Sequence, residues 1–130
     1  MKEIVVIAHD AKKPTLVEFL NERNEWIEGT NLVATGRTAE YLESNNIDVK
    51  HMSPGQYGGY NEITEMIKNN EIDMVFFFRD PDVNQPHHKD IQELLDECDK
   101  KNIPLATNNS SAELLILGLL KKEDYERLKE

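Results

Sequence analysis

Cysteine is nearly absent. Cys98 is the single one in 130 residues, which excludes an intramolecular disulfide and a cysteine-rich zinc site. Long apolar runs are also missing. The longest, Leu114–Leu120, spans seven residues counting Gly118, whereas a membrane helix needs about 18 or more. The opening MKEIVVIAHD sets acidic residues on both sides of a very short apolar run, unlike a secretory signal. Basic residues are in deficit: Lys and Arg number 15 against 25 Asp and Glu, a formal net charge of −10. That balance argues against a nucleic-acid partner and against docking on an anionic membrane, both of which call for a basic face. A small anionic ligand stays possible, because it needs only a local pocket of donors. No linker-like Pro/Gly/Ser stretch, low-complexity tract or repeat interrupts the chain. Residues 1–130 are therefore expected to form one domain, acidic, soluble and cytoplasmic.

What is present is an alternation of short apolar strands and helical patterns. Glu3–Ala8 (EIVVIA), Asn31–Ala34, Val49–Met52, Met74–Phe78 (MVFFF) and Leu105–Thr107 read as strands. Leu16, Phe19 and Leu20 recur at helical spacing behind Pro14, as do Ile63, Met66 and Ile67, and Ile91, Leu94, Leu95 and Cys98. Thr38–Ser44 also reads as helix. Ser110-x-x-Glu113 has the form of a capping box ahead of Leu114–Leu120. The charged tail KKEDYERLKE reads as a solvated helix or a frayed end. This alternation predicts right-handed βαβ units, hence an α/β fold with a mostly parallel sheet covered on both faces.

In such sheets ligands bind beyond the carboxyl ends of the strands. Polar and glycine residues gather at each of those places: His9-Asp10 with Lys13, Thr35-Gly36-Arg37-Thr38, Ser53-Pro54-Gly55, Arg79-Asp80-Pro81 running on to His87-His88-Lys89-Asp90, and Thr107-Asn108. All five ends are expected to converge on one cavity. Thr35-Gly36-Arg37-Thr38 has the parts of an anion site: a glycine for close backbone approach, a helix N-terminus, two hydroxyls and a guanidinium. It equally fits a plain strand-to-helix turn with Thr38 as N-cap. His9 and Asp10 form either a charged pair or a satisfied turn. His87 and Asp90 share a face if a helix starts there. No H-E-x-x-H or comparable spacing occurs, so no metal is expected. Phe76–Phe78 belongs to the core, Trp26 packs at a helix end, and Cys98 lies inert on an apolar helix face.

Taken together these turns resemble the methylglyoxal synthase family over nearly the whole chain. The matching stretches are Ile7-Ala8-His9-Asp10 with Lys13, Ala34-Thr35-Gly36-x-Thr38, Gly58-Gly59, Phe77-Phe78-Arg79-Asp80-Pro81, Gln85-Pro86-His87-x-x-Asp90, and Ile103-Pro104-Leu105-Ala106-Thr107-Asn108. The resemblance implies a Rossmann-like three-layer α/β sandwich, assembled as a homohexamer. It implies a cofactor-free lyase that turns dihydroxyacetone phosphate into methylglyoxal and inorganic phosphate, and regulation by phosphate. By position, Lys13, Thr35, Thr38 and Gly55 hold the phosphate, while His9, Asp10 and Asp80 line the pocket. His87 polarises the carbonyl and enediolate oxygens, and Asp90 assists the acid–base steps.

The chain departs from the family pattern at three places. Tyr60 stands where the family has the aspartate taken as general base. Pro54 replaces a serine before Gly55. Arg37 replaces a threonine and adds a fixed charge able to neutralise departing phosphate. A phenol with pKa near 10 is protonated at neutral pH, so Tyr60 donates a hydrogen bond but is a poor base. Asp10, Asp80 and Asp90 are the candidate substitutes. Glu62 is less suited, since helix residues two apart point to different sides. Two readings stay open. One is a lyase with a re-assigned base. The other is a non-catalytic phosphometabolite sensor like the regulatory domain of carbamoyl phosphate synthetase, whose T-G-x-T-A turn Thr35-Gly36-Arg37-Thr38-Ala39 also resembles.

Overall fold

A computed structural model describes residues 2–83 and 88–129. In chain order the main elements are β1 (Lys2–Ala8), α1 (Lys13–Asn21), α2 (Asn24–Glu28), β2 (Thr30–Ala34), α3 (Gly36–Ser44) and β3 (Lys50–His51). They continue with α4 (Gly59–Lys68), β4 (Met74–Phe78), α5 (His88–Lys100), β5 (Leu105–Ala106) and α6 (Asn109–Lys129). The five strands form one parallel sheet in the order β3-β2-β1-β4-β5. β1 lies at its centre, with Ile4 opposite Leu32 on one side and Met74 on the other.

Because side chains alternate along a strand, β1 feeds two cores. Ile4, Val6 and Ala8 pack with Leu16, Phe19 and Leu20 of α1, Leu42 of α3 and Ile116 of α6. Val5 and Ile7 pack with Ile63 and Ile67 of α4 and Leu94 and Cys98 of α5. Helices thus cover both faces, giving the three-layer α/β sandwich. The Met74–Phe78 run is buried throughout. Phe76 and Phe78 meet Phe19 edge-on at 5.8 and 5.6 Å, while Phe77 faces the other way. Burial pushes the Cys98 thiol up to about 12, which leaves it a packing group rather than a nucleophile. Among the described residues no helix is long and apolar enough to cross a membrane.

The first helical pattern stands as α1 and ends at Asn21. Arg23 turns back, donating to the Phe19 carbonyl at 2.9 Å with its guanidinium 3.9 Å from that ring's centre, and α2 then carries Trp26 against Phe76. The capping box at Ser110 is not the start of α6. Asn108 caps that helix: its Oδ1 accepts the Ser111 N–H at 2.9 Å, and its carbonyl accepts the Ala112 N–H at 3.1 Å. The tail continues α6 to Lys129. Asn108→Ala is expected to lower stability by about 1 kcal/mol and Ser110→Ala to change it by less than half as much. Urea unfolding of the two variants checks the assignment.

Candidate active site

The carboxyl ends of β1, β2 and β3 come together around a cavity of about 250 Å³. β1 delivers His9, Asp10 and Lys13; β2 delivers Thr35, Arg37 and Thr38; the segment after β3 delivers Gly55, Gln56 and Tyr60. Each group is fixed by local bonds. The Lys13 ammonium donates to the Ala8 carbonyl at 2.9 Å and to Asp10 Oδ1 at 2.7 Å. The Thr38 hydroxyl bridges the Ala8 N–H and carbonyl, both at 3.3 Å. Thr38 is therefore not an N-cap. Thr35, extended and buried, occupies that position. The Gly36 N–H donates to the Ser53 carbonyl at 3.1 Å, which ties the second turn to the third.

The third turn is shaped by close approach. A Cβ on Gly55 would fall 2.5 Å from the Tyr60 ring, so only glycine leaves room for that ring. Tyr60 is 6% exposed and stacks on Phe77 at 5.8 Å with the rings 16° apart. Phe77 also meets His9 edge-on at 5.5 Å. It is core, as expected, and it backs two of the lining side chains, His9 and Tyr60.

The charges sit in one chain of contacts. Asp10 Oδ1 takes Lys13, and Asp10 Oδ2 takes Arg37 Nη2 at 3.0 Å. The Lys13 hydrogen bond holds the Asp10 carboxyl below its ordinary range; burial opposes this, and the charges of Lys13 and Arg37 add to the lowering. Burial pushes the Tyr60 phenol up to about 12, and the Asp10 charge acts in the same direction while Arg37 opposes it. A phenol so placed keeps its proton and serves as a donor. His9 accepts the Asp80 N–H on Nδ1 at 2.7 Å, which puts its ring proton on Nε2.

The remaining candidates lie elsewhere. Asp80 touches the site through its amide on His9, while its carboxylate accepts the Asp82 N–H at 3.0 Å. Asp90 is half-buried in the first turn of α5 and is not among the residues that line the cavity. His87 lies outside the described residues. Glu62 grips Ser53 by its N–H and its hydroxyl, each at 2.8 Å, and so is committed to the loop. Among the described residues Asp10 is the carboxylate that lines the cavity, and no group of three or more His, Cys, Asp or Glu converges as metal ligands do. Gln56 is a lining residue that the sequence reading missed; its position directly after Gly55 was the available signal.

Among the described residues, the ends of β1, β2 and β3 line the cavity, and the segment after β4 runs on into residues outside the described ones. The end of β4 contributes the Asp80 amide. At β5 the Thr107 carbonyl receives the Arg79 N–H, and Asn108 is used as the cap of α6.

A family model described as the MGS-like domain matches residues 15–107. The chain is 45% identical over 118 residues to a methylglyoxal synthase of Geobacillus sp. (strain WCH70), covering 90% of this chain and 84% of that protein. It is 43% identical over 129 residues to the methylglyoxal synthase of Bacillus mycoides (strain KBAB4), covering 98% of each. The chain belongs to the methylglyoxal synthase family. Its fold matches the crystal structure of methylglyoxal synthase from Elizabethkingia anophelis NUHP1 with a TM-score of 0.81 and 34% identity, over 88% of this chain and 76% of that one. Arg37 and Tyr60 line this cavity, and Pro54 precedes Gly55 on the turn beside it.

The Tyr60 environment has a direct test. Below pH 10 the phenol is protonated in both folded and unfolded chains. Between about 10 and about 12 the unfolded phenol ionises while the folded one does not, so stability is lost as pH rises through that window. Tyrosinate absorbance should show a late step near pH 12 among the four tyrosines, and Tyr60→Phe should remove it.

Proposed function

We propose that the protein is a methylglyoxal synthase-like lyase acting on dihydroxyacetone phosphate, with Asp10 as its general base. The observation that carries this reading is the placement of Asp10. It is the carboxylate lining the cavity among the described residues, beside Lys13, Thr35, Thr38 and Gly55. In this reading Lys13, the two threonine hydroxyls and the backbone at Gly55 receive the phosphate. Asp10 takes a proton from the hydroxymethyl carbon, and the electron pair passes to the carbonyl oxygen. The His9 Nε2–H and the Tyr60 hydroxyl stabilise the resulting enediolate by donation. The proton of the former hydroxymethyl oxygen then passes to the enediolate oxygen, that carbon becomes the aldehyde, and the displaced electron pair breaks the C–O bond to phosphate. The enol released becomes methylglyoxal, and Arg37 neutralises the leaving dianion. His87 keeps the role that the family pattern implies for it.

Two facts about Asp10 make the enzyme slow. The carboxylate is held by two cations, which weakens it as a base, and the family's aspartate is absent. Loss of a positioned base costs about 10²–10⁴ in rate. Purified protein incubated with dihydroxyacetone phosphate is expected to release methylglyoxal and phosphate slowly. Tyr60→Asp should raise the rate by at least about tenfold and Asp10→Asn should lower it by about a hundredfold.

The buried, protonated Tyr60 favours a second reading, a phosphometabolite sensor without turnover. Tight binding of the triose phosphate with no product, before and after Tyr60→Asp, selects the sensor and rejects the lyase. In either reading the protein acts in the cytoplasm as a homohexamer, which is supported by the exposed Leu114, Leu117 and Leu128 along α6. Sedimentation velocity measures that state, and a monomer at micromolar concentration rejects it.

A further inference from the structure

We infer that Arg37 is an exchangeable specificity residue, which Asp10 holds in the empty site and which a ligand phosphate takes over. The inference rests on the phosphate-binding part of the reading above and is indifferent to turnover.

The two cations of the cavity are already paired. Asp10 places one carboxylate oxygen on each: Oδ1 on Lys13 at 2.7 Å and Oδ2 on Arg37 at 3.0 Å. An anion entering between Lys13, Thr35 and Gly55 therefore competes with a resident anion. The two cations are not equally able to respond. The Lys13 side chain is 11% exposed and bound also to the Ala8 carbonyl, so it stays in place. The Arg37 and Asp10 side chains are 65% and 66% exposed. Ion pairs this open to water are weak, and both side chains have solvent to turn into.

Arg37 is placed to receive a phosphate. It follows Gly36 in the first turn of α3, where N–H groups are free of helical partners. Its planar fork matches two phosphate oxygens at once. It lines both the inner cavity and an adjoining one of about 430 Å³ that it shares with Asp10, Lys13, Glu40, Tyr41 and Ser44. It therefore stands at the mouth, between entry and cradle. The exchange selects for charge. A phosphate dianion replaces the carboxylate with more charge and a better fork geometry, whereas a carboxylate ligand offers Arg37 no more than Asp10 already does.

The test is a double-mutant cycle read by calorimetric binding of inorganic phosphate to the intact protein. Asp10→Asn removes the resident competitor and is expected to tighten phosphate binding by about tenfold. Arg37→Thr, which restores the family residue, is expected to weaken it. The deciding quantity is the interaction between them. If Asp10 and phosphate compete for Arg37, then Arg37→Thr costs more in the Asp10→Asn background than in the parent. Equal costs in both backgrounds, or weaker binding on Asp10→Asn alone, overturn the exchange and leave the phosphate cradle standing. Absence of phosphate binding to the parent and to Asp10→Asn overturns the cradle and the exchange together. Both substituted side chains are largely exposed, so the variants should fold, and a far-ultraviolet spectrum unchanged from the parent verifies it.

Discussion

The carbonyl of Ala8, the last residue of the central strand, organises the carboxyl edge of the sheet. β1 is paired with β2 over Lys2–Val5 and with β4 over Ile4–Ala8, so its backbone has no slack until Ala8. There the carbonyl accepts from the Lys13 ammonium and the Thr38 hydroxyl, and the next N–H goes to Phe78. One buried peptide thus fixes a cation from the first crossover and a hydroxyl from the second. Both groups must be satisfied when buried, and the fold satisfies them on its own backbone. A cavity with a preset polar wall is the consequence.

Arg37, Pro54 and Tyr60 are packed as a set. A Cβ on Gly36 would stand 3.0 Å from the Pro54 nitrogen, and one on Gly55 would enter the Tyr60 ring. Arg37 is paired with Asp10, whose charge in turn raises the Tyr60 phenol. With Tyr60 protonated and Arg37 charged, the cavity is equipped to hold an anion.

Much of this was legible in the sequence, for reasons that are local. Glu3–Ala8 and Met74–Phe78 are dense in β-branched and aromatic residues, and period-two alternation sorts them onto two faces. The Thr35–Thr38 turn carries its own chemistry. The rest depended on contacts between distant segments. Asn108 and Ser110 are both competent caps, and the end of β5 decides between them. Asp10, Asp80 and Asp90 are equal as residue types; the turn that follows each strand decides which one faces the cavity. β3, β2 and β1 are neighbours, so their described loops share one stretch of the sheet edge, and β4 on the other side of β1 reaches it through the Asp80 amide on His9.

In the lyase reading, binding and basicity at Asp10 are the same event. A carboxylate held by two cations is ionised at neutral pH and yet reluctant to take a proton. Its strength as a base rises when one cation leaves. Lys13 is buried and anchored, so the cation able to leave is Arg37. What draws it away is a second anion of higher charge in the same cavity. A ligand without phosphate leaves Asp10 doubly paired and inert, whereas a phosphate ester recruits Arg37 and loosens the carboxylate beside its own acidic carbon. Proton abstraction comes to depend on the substrate's phosphate, because that group alone frees the residue that performs it.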